Sequence, residues 1–431
     1  MKKVTLFLLS LFLIQLTYAQ NDTLLMHYRG KALDYQQSIK MAEVELSGAE
    51  SKVDAAQSSR LPQLDFNSRY RYYGEAMQLA PPADGSSLVG EELHNFYSLN
   101  LDLYQPILTG GYLKNAKQVA ESEVEIKKHL VRMNKQQVVL NSDMMYWNAV
   151  SKKEIFKLFI KYKEYIGQFA KVIKDRVDEE IVGRNELYQA QVRYDDAEYK
   201  EIRSRKEFDV SVMSLNKLIG EPVNTPSEIA DSLEVVTWLA NDSITKLALE
   251  QRPEIGFAES KILKTQHNEK VVGSRFNPQL GVSAGGKWGS PSPGLQIEPG
   301  FNYSIKANLS IPIIHWGQKR EEVFAAQQKT EVAKLEMEEI RDRVILEVES
   351  SYYKLSKSQD QFNFSKSSLD NAAKNVSVML DRYNEGLSSV LEVLDAQLYW
   401  QKTYFNFILA KYEVNIAYSQ YQYALGELSK Y

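Results

Sequence analysis

The 431-residue chain contains no cysteine. That excludes a disulfide framework, a thiolate metal site and an amino-terminal lipid carried on cysteine. It has no basic excess either: 52 lysines and arginines stand against 56 acidic residues, so nucleic acid is not an expected partner. The histidines, His27, His94, His129, His267 and His315, include no pair at a metal-ligand spacing such as i, i+4. No P-loop, nucleotide fingerprint or nucleophile elbow occurs, so no enzyme, cofactor or metal site is expected. Beyond the amino terminus, no apolar run approaches the about 20 residues that a membrane helix needs. Prolines number twelve, and all lie in turn-like stretches or their edges, none inside a long helical pattern, as the backbone requires.

What is present begins with Lys2-Lys3, an apolar run from Val4 to Leu16, and Thr17-Tyr18-Ala19. This reads as an export signal over 1–19 rather than a short buried helix, so the mature chain is expected to leave the cytoplasm. An exported chain without a membrane helix is either soluble or crosses a membrane as a closed barrel, whose signal is weaker.

The longest pattern runs from Gly317 to Glu385. Val323, Ala326, Thr330, Ala333, Met337, Ile340, Val344, Val348, Ser351 and Leu355 recur at steps of three or four, the seam of a packed helix. Such a helix is about 100 Å long and needs helical neighbours along its length. A second copy runs from Gly111 to about Glu180, interrupted only by Gly167. Pro106 and Pro312, Gly111 and Gly317, Arg176 and Arg382, and Gly220 and Gly426 all stand 206 residues apart. A constant offset across helical sequence indicates an internal duplication.

Each copy follows one plan. Leu24 to about Arg60 reads as helix, with Ala32, Ile39, Ala42, Leu46, Ala49 and Val53 near one face. From Leu64 the period becomes two, predicting strands over about 62–73 and 95–105, the hairpin closing at Gln105-Pro106. The second copy predicts a helix from about Pro253 to Arg275 and strands over about 278–289 and 300–311. Long helices follow over about 111–180 and 317–384. Reversals come near Gly183 and Gly386, then helices to Leu218 and Leu425. The chain thus divides into a signal at 1–19, a first repeat at 20–220, a linker at 221–252 and a second repeat at 253–431. The linker carries short apolar groups and reads as an extra layer around the middle of the assembly.

Strands of about 10 residues cross a bilayer when tilted. Asp65, Arg69, Arg71, Asp102, Lys287 and Lys306 line one face; Tyr70, Tyr72, Tyr97, Trp288, Phe301 and Tyr303 lie on the other. Charges suit water and aromatics suit a membrane interface. Four strands cannot close a barrel, and open edges are not viable in lipid. The chain is therefore expected to oligomerise, with eight strands from two copies or twelve from three.

This order of elements resembles the TolC-like outer-membrane efflux family. The most specific residues are Gly386-Leu387-Ser388-Ser389-Val390-Leu391-Glu392-Val393-Leu394-Asp395-Ala396-Gln397, similar to the family's segment after the periplasmic tip. Gln105-Pro106-Ile107-Leu108, Ile311-Pro312, Arg252-Pro253-Glu254-Ile255, Gly111 and Gly317 support it. The resemblance implies a mainly α chain with a β-barrel. It implies a homotrimer whose 12-stranded barrel lies in outer-membrane lipid on a long periplasmic α-helical barrel. It further implies a periplasmic adaptor, an inner-membrane pump of RND or ABC type, and an exit duct for efflux or type I secretion. An exported coiled-coil stalk without channel activity is the alternative.

Glu392 and Asp395 are three residues apart and share a helix face. The resemblance makes them a periplasmic gate, a ring of carboxylates that attracts cations. Glu186 stands 206 residues before Glu392 and keeps one acid in both copies. Tyr383 matches a tyrosine that ties neighbouring tips, and Ser388 stands where a relative has an arginine, which weakens that tie. Val182, Gly183, Arg184, Gly386 and Leu387 form the expected adaptor-docking tips, with Val182 and Leu387 exposed and the glycines at unusual backbone angles. The residue 206 before Gly386 is Glu180, so the two tips are expected to differ.

Overall fold

The computed structural model of the chain describes residues 23–77, 93–236, 244–290 and 299–430. The expected export signal lies outside them. Helix α1 covers residues 23–35 and α2 Gln37–Ser58. Strands β1 (Gln63–Met77) and β2 (Leu93–Thr109) precede α3 (Tyr112–Asp178) and α4 (Arg184–Ile219). A short α5 (Ile244–Gln251) leads to α6 (Pro253–Ser274), β3 (Gln279–Ser290), β4 (Gly300–Ser310), α7 (Gln318–Asn384) and α8 (Val390–Ala424). The order helix, two strands, 67-residue helix, helix occurs twice. At 1.5 Å per residue each 67-residue helix measures roughly 100 Å. Among the described residues no helix is long and apolar enough to cross a membrane.

The chain divides into two compact units: Met1–Glu43, His129–Ile255 and Glu339–Tyr431 form one, Val44–Lys128 and Gly256–Glu338 the other. In the first unit the core gathers Tyr146, Leu158, Tyr162, Ile166 and Ile173 of α3 with Leu215 of α4 and Val393, Leu394 and Ile408 of α8. The seam expected on α7 is real: Ala326, Thr330, Ala333, Val344, Val348, Ser351 and Leu355 are all buried.

The second unit carries a four-stranded antiparallel sheet in the order β1-β2-β3-β4. The register puts Leu64, Leu103, Ala284 and Ile305 on one rung and Phe66, Leu101, Gly286 and Tyr303 on the next on that face. On the other face Asp65, Asp102, Gly285 and Ser304 share a rung, as do Asn67, Asn100, Lys287 and Asn302. Period two along each strand thus becomes one apolar and one polar face of the whole sheet. The apolar face is open to solvent in the single chain; Phe66, Tyr303 and Ile305 are 66–75% exposed. The outer sides of β1 and β4 are free edges.

Several sequence expectations need correcting. The first helix is not continuous: it breaks at Gln36, whose side-chain amide donates to the Leu218 carbonyl at the end of α4. Gly167 does not interrupt α3; the Tyr194 ring packs where its side chain would be, 3.0 Å from an added Cβ. The first hairpin does not close at Pro106. β2 continues to Thr109, and the register shifts between Pro106 and Leu108. A bulge accommodates a residue without an N–H donor.

The linker has one helix, α5, and before it a strap pinned to its surroundings. Asn216 donates to the carbonyls of Val223 and Thr225, and Tyr28 to that of Glu228. Lys153 and Lys157 hold Asp231 at 2.7 and 2.8 Å. The Leu233 N–H donates to Glu154, and Asn415 donates to the Glu234 carbonyl. Glu154 is itself paired with Lys411, and both are buried.

Candidate functional site

The first unit contains the turns that end the two long helices. After α3, the N–H of Ile181 reaches the Arg176 carbonyl at 2.8 Å and that of Glu180 reaches Val177 at 3.0 Å. After α7, Leu387 reaches Arg382 at 2.8 Å and Gly386 reaches Tyr383 at 3.1 Å. Both are helix ends closed through a left-handed residue. That residue is Gly386 (φ 74°) in one turn and Glu180 (φ 60°) in the other. The two turns therefore share one backbone despite their different residues, while the caps that follow them differ. Gly183 is not the reversal point: it is extended (φ −79°, ψ 153°) and serves as the N-cap of α4. Ser389 does the same for α8 at φ −83°, ψ 161°.

Ser389 and Glu392 form a capping box. The Ser389 N–H donates to Glu392 Oε2 at 2.7 Å, its hydroxyl donates to the same oxygen at 3.0 Å, and the Glu392 N–H reaches back to Ser389 Oγ. The Ser389 N–H and hydroxyl hold the Glu392 carboxyl below the ordinary carboxylate range. Asp395 pairs instead with Arg193 of α4 at 3.1 Å. The two acids share a face but have separate partners. Glu186, half-exposed in the first turn of α4, faces a glycine cap and has no box to complete.

Tyr383 is buried and stacks edge-on to Phe169, with the Arg176 guanidinium 4.4 Å from its ring centre. Its hydroxyl is buried with no partner among the described residues. Ser388 donates to the Met379 carbonyl within its own turn.

A family model described as outer membrane efflux protein matches residues 29–221 and 244–427. The chain belongs to the outer membrane efflux protein family. This efflux protein is 22% identical over 425 residues to the outer membrane protein TolC of Salmonella enteritidis, covering 96% of the chain and 84% of the relative. Its fold is that of the Campylobacter jejuni CmeC outer membrane channel, with TM-score 0.77, 20% identity, and 93% and 85% of the two chains covered. The Vibrio cholerae outer membrane protein VceC matches with TM-score 0.78 at 15% identity over 93% of this chain and 96% of that one. The efflux protein is placed in the outer membrane and extends into the periplasm.

The tip residues of the efflux protein are distributed as follows. Leu387 is 63% exposed, and Gly386 and Arg184 are exposed too. Val182 is half-buried and packs on the core, so the expected exposed valine is a correction. The apolar side chain exposed at that tip is Ile181, at 62%. Its counterpart 206 residues on is Leu387, so the offset pointed to Ile181 all along. Arg193, and the contact of Arg176 with Tyr383, do not show in the sequence, because each acts across to α8 or α7 from a helix face that reads as solvated. A cleft of about 610 Å³ opens beside the turns, lined by Tyr165, Phe169, Val172, Leu380, Asp381 and Trp400 among others.

The family-like stretch Arg252-Pro253-Glu254-Ile255 has a structural reason. Arg252, 4% exposed, donates to the carbonyls of Tyr423 and Ala424 at the end of α8 and pairs with Glu254 and Glu347 at 2.8 Å. It places a cation at the negative end of a helix and joins α6, α7 and α8.

Proposed function

We propose that copies of this chain close head to tail into a ring that serves as the outer-membrane exit duct of a tripartite efflux or type I secretion system. The observation that carries this is the pair of unlike free edges, β1 and β4, beside an exposed apolar sheet face. A two-fold dimer joins like surfaces, whereas a head-to-tail ring joins unlike ones and leaves no edge. The helices support the same reading. Tyr188, Val192, Tyr199 and Ile202 of α4 and Leu346, Tyr353 and Phe364 of α7 are exposed apolar residues at helical spacing. Each stripe offers a face to another copy.

Three copies, as the resemblance implies, give a twelve-stranded barrel with its polar face inward and its aromatics toward lipid. The strands have 15, 17, 12 and 11 residues, enough for the about 9–11 that a tilted crossing needs. The halves 20–220 and 253–431 are copies of one ancestral unit, joined by the linker, and 1–19 is removed on export. The protein performs no chemistry on its cargo.

At the other end Glu392, Asp395, Glu186, Tyr383 and Ser388 belong to the periplasmic gate. The Arg193–Asp395 pair holds α4 and α8 of one chain together. The unpartnered Tyr383 hydroxyl is the group available to a neighbour once the tip shifts. Ile181, Leu387, Gly183, Arg184 and Gly386 meet the periplasmic adaptor, which couples the duct to an inner-membrane pump.

Reconstitution in planar bilayers tests the duct. The proposal expects detergent-solubilised protein from the outer-membrane fraction to give discrete single-channel steps. Glu392→Ala with Asp395→Ala should weaken block by multivalent cations. Outer-membrane protein that never conducts would favour the coiled-coil stalk, and unchanged block in the double variant would remove the gate assignment.

A further inference from the structure

The polar face of the sheet is not uniformly charged. Toward the end that leads to the helices, Asp65 and Asp102 face each other across β1 and β2. Toward the hairpin-loop end, the same face carries Arg69 and Arg71 on β1 and Lys287 on β3. Arg69, Ser98 and Gly289 share a rung; Asn67, Asn100 and Lys287 share the next. Gly289 has no side chain and could take none, since an added Cβ would lie 2.2 Å from the Tyr97 carbonyl oxygen. Ser98 is small. The floor between the cations is therefore open.

The result is a hollow of about 220 Å³ lined by Arg69, Arg71, Tyr73, Ser98, Lys287 and Ser290, with Phe96 and Tyr97 at its side. Among the described residues no carboxylate lines it. Arg71 donates to the Tyr73 hydroxyl at 2.6 Å, and its guanidinium lies 5.6 Å from that ring's centre. Arg69, Arg71 and Lys287 are all exposed, and none forms an ion pair among the described residues. Asp65 stands four residues from Arg69 along the strand, roughly 13 Å away. That separation exceeds the Debye length at physiological salt, about 8 Å, so Asp65 does little to neutralise the two arginines. Asp102, opposite Gly285, is the diagonal neighbour of Lys287 at roughly 7–8 Å and offsets part of that one charge.

We propose that this hollow is an anion subsite, taking a phosphate or carboxylate group. Two guanidinium forks and an ammonium around a small floor match a planar or tetrahedral oxyanion. The inference rests on the duct reading, in which the polar face lines water. Each copy then brings three cations to the outer mouth, and such a ring concentrates anions there. Soluble anions are the occupants, since the lipid meets the opposite face.

The test uses the full-length protein in planar bilayers under a potassium chloride gradient, with inorganic pyrophosphate as the probe. Arg69→Gln with Lys287→Gln should lower the chloride-to-potassium permeability ratio by about threefold or more. Pyrophosphate added on the hairpin-loop side should block the wild type and require about tenfold more in the variant. A variant that conducts with an unchanged ratio and unchanged block would overturn the subsite. If the variant does not reach the outer membrane, the wild type still decides: pyrophosphate that blocks from neither side overturns the proposal. Lipid phosphate that co-purifies with the wild type and is lost in the variant, with block unchanged, would also overturn it. A wild type that never conducts fails the duct reading instead.

Discussion

Glu180 and Gly386 occupy the same left-handed backbone position, φ 60° and 74°, at the ends of the two 67-residue helices. Glycine reaches that region without strain, whereas a residue with a Cβ pays roughly 1–2 kcal/mol for it. Glu180→Gly should therefore relieve strain at the first turn. Part of the gain is lost to the freer unfolded chain, leaving a net stabilisation of about 0.5–1 kcal/mol. Gly386→Ala should destabilise the second turn by a similar amount. Hydrogen exchange over 176–190 and 382–396 reads both, since each change is local.

Arg252 should matter more than any surface cation. Arg252→Ala leaves Glu254 and two carbonyls at the end of α8 without their buried partner. Breaking such a cluster costs about 3–5 kcal/mol. Arg252→Lys should recover only part, because one ammonium cannot serve both carboxylates and both carbonyls. Denaturant unfolding of the detergent-solubilised protein measures the difference.

The strap should respond to acid. Lys153 and Lys157 hydrogen-bond Asp231 and hold its carboxyl down to about 2, from an ordinary 3.8. A depressed carboxyl adds stability above its unfolded value, and that stability is lost as pH falls through the folded value. Exchange protection over residues 223–236 should be constant from pH 8 to 5 and fall between about pH 4 and 2. Because Asp231 is largely exposed, the effect is modest and should shrink in high salt. Asp231→Asn should remove that pH dependence.

Much of this was legible in the sequence. The long helices were marked by a three-four seam, and the strands by strict alternation of Leu99, Leu101 and Leu103 with polar neighbours. What was missed depends on contacts between distant segments. Nothing near Gln36 announces a break, because its partner is the Leu218 carbonyl 182 residues away. Glu180 looks like an ordinary helix residue, and Gly183 three positions later drew the turn to itself. The strap's short apolar groups carry no period: Ile229, Ala230 and Leu233 reach the core singly, and hydrogen bonds to distant segments fix the backbone between them. At the tip, Ser389 and Glu392 have the spacing of a capping box. The same glutamate was therefore open to a structural reading from the start, and the structure shows it capping α8 while Asp395 pairs with Arg193.

Within one chain, the junction before α3 packs on the junction before β3: Asn277 donates to the Gly110 carbonyl at 2.9 Å, and an added Cβ on Gly110 would meet Asn277 at 2.6 Å. At the corresponding junction before α7, Phe276 packs on His315, but Trp316, φ 44°, is 95% exposed. By the shared Pro-Gln-Leu at Pro62 and Pro278, the counterpart of Asn277 is Leu61, 60% exposed. If copies close head to tail, the same packing should bring Trp316 of one copy against Leu61 of the next.

Cross-linking of Trp316→Cys with Leu61→Cys, in a chain that has no other thiol, measures that closure directly. Treated in native outer membranes with a short thiol-bridging reagent, the double variant should yield covalent species ending at three chains, and neither single variant should. A double variant that remains entirely single chains, in membranes where the protein is present and its thiols react, would contradict the ring.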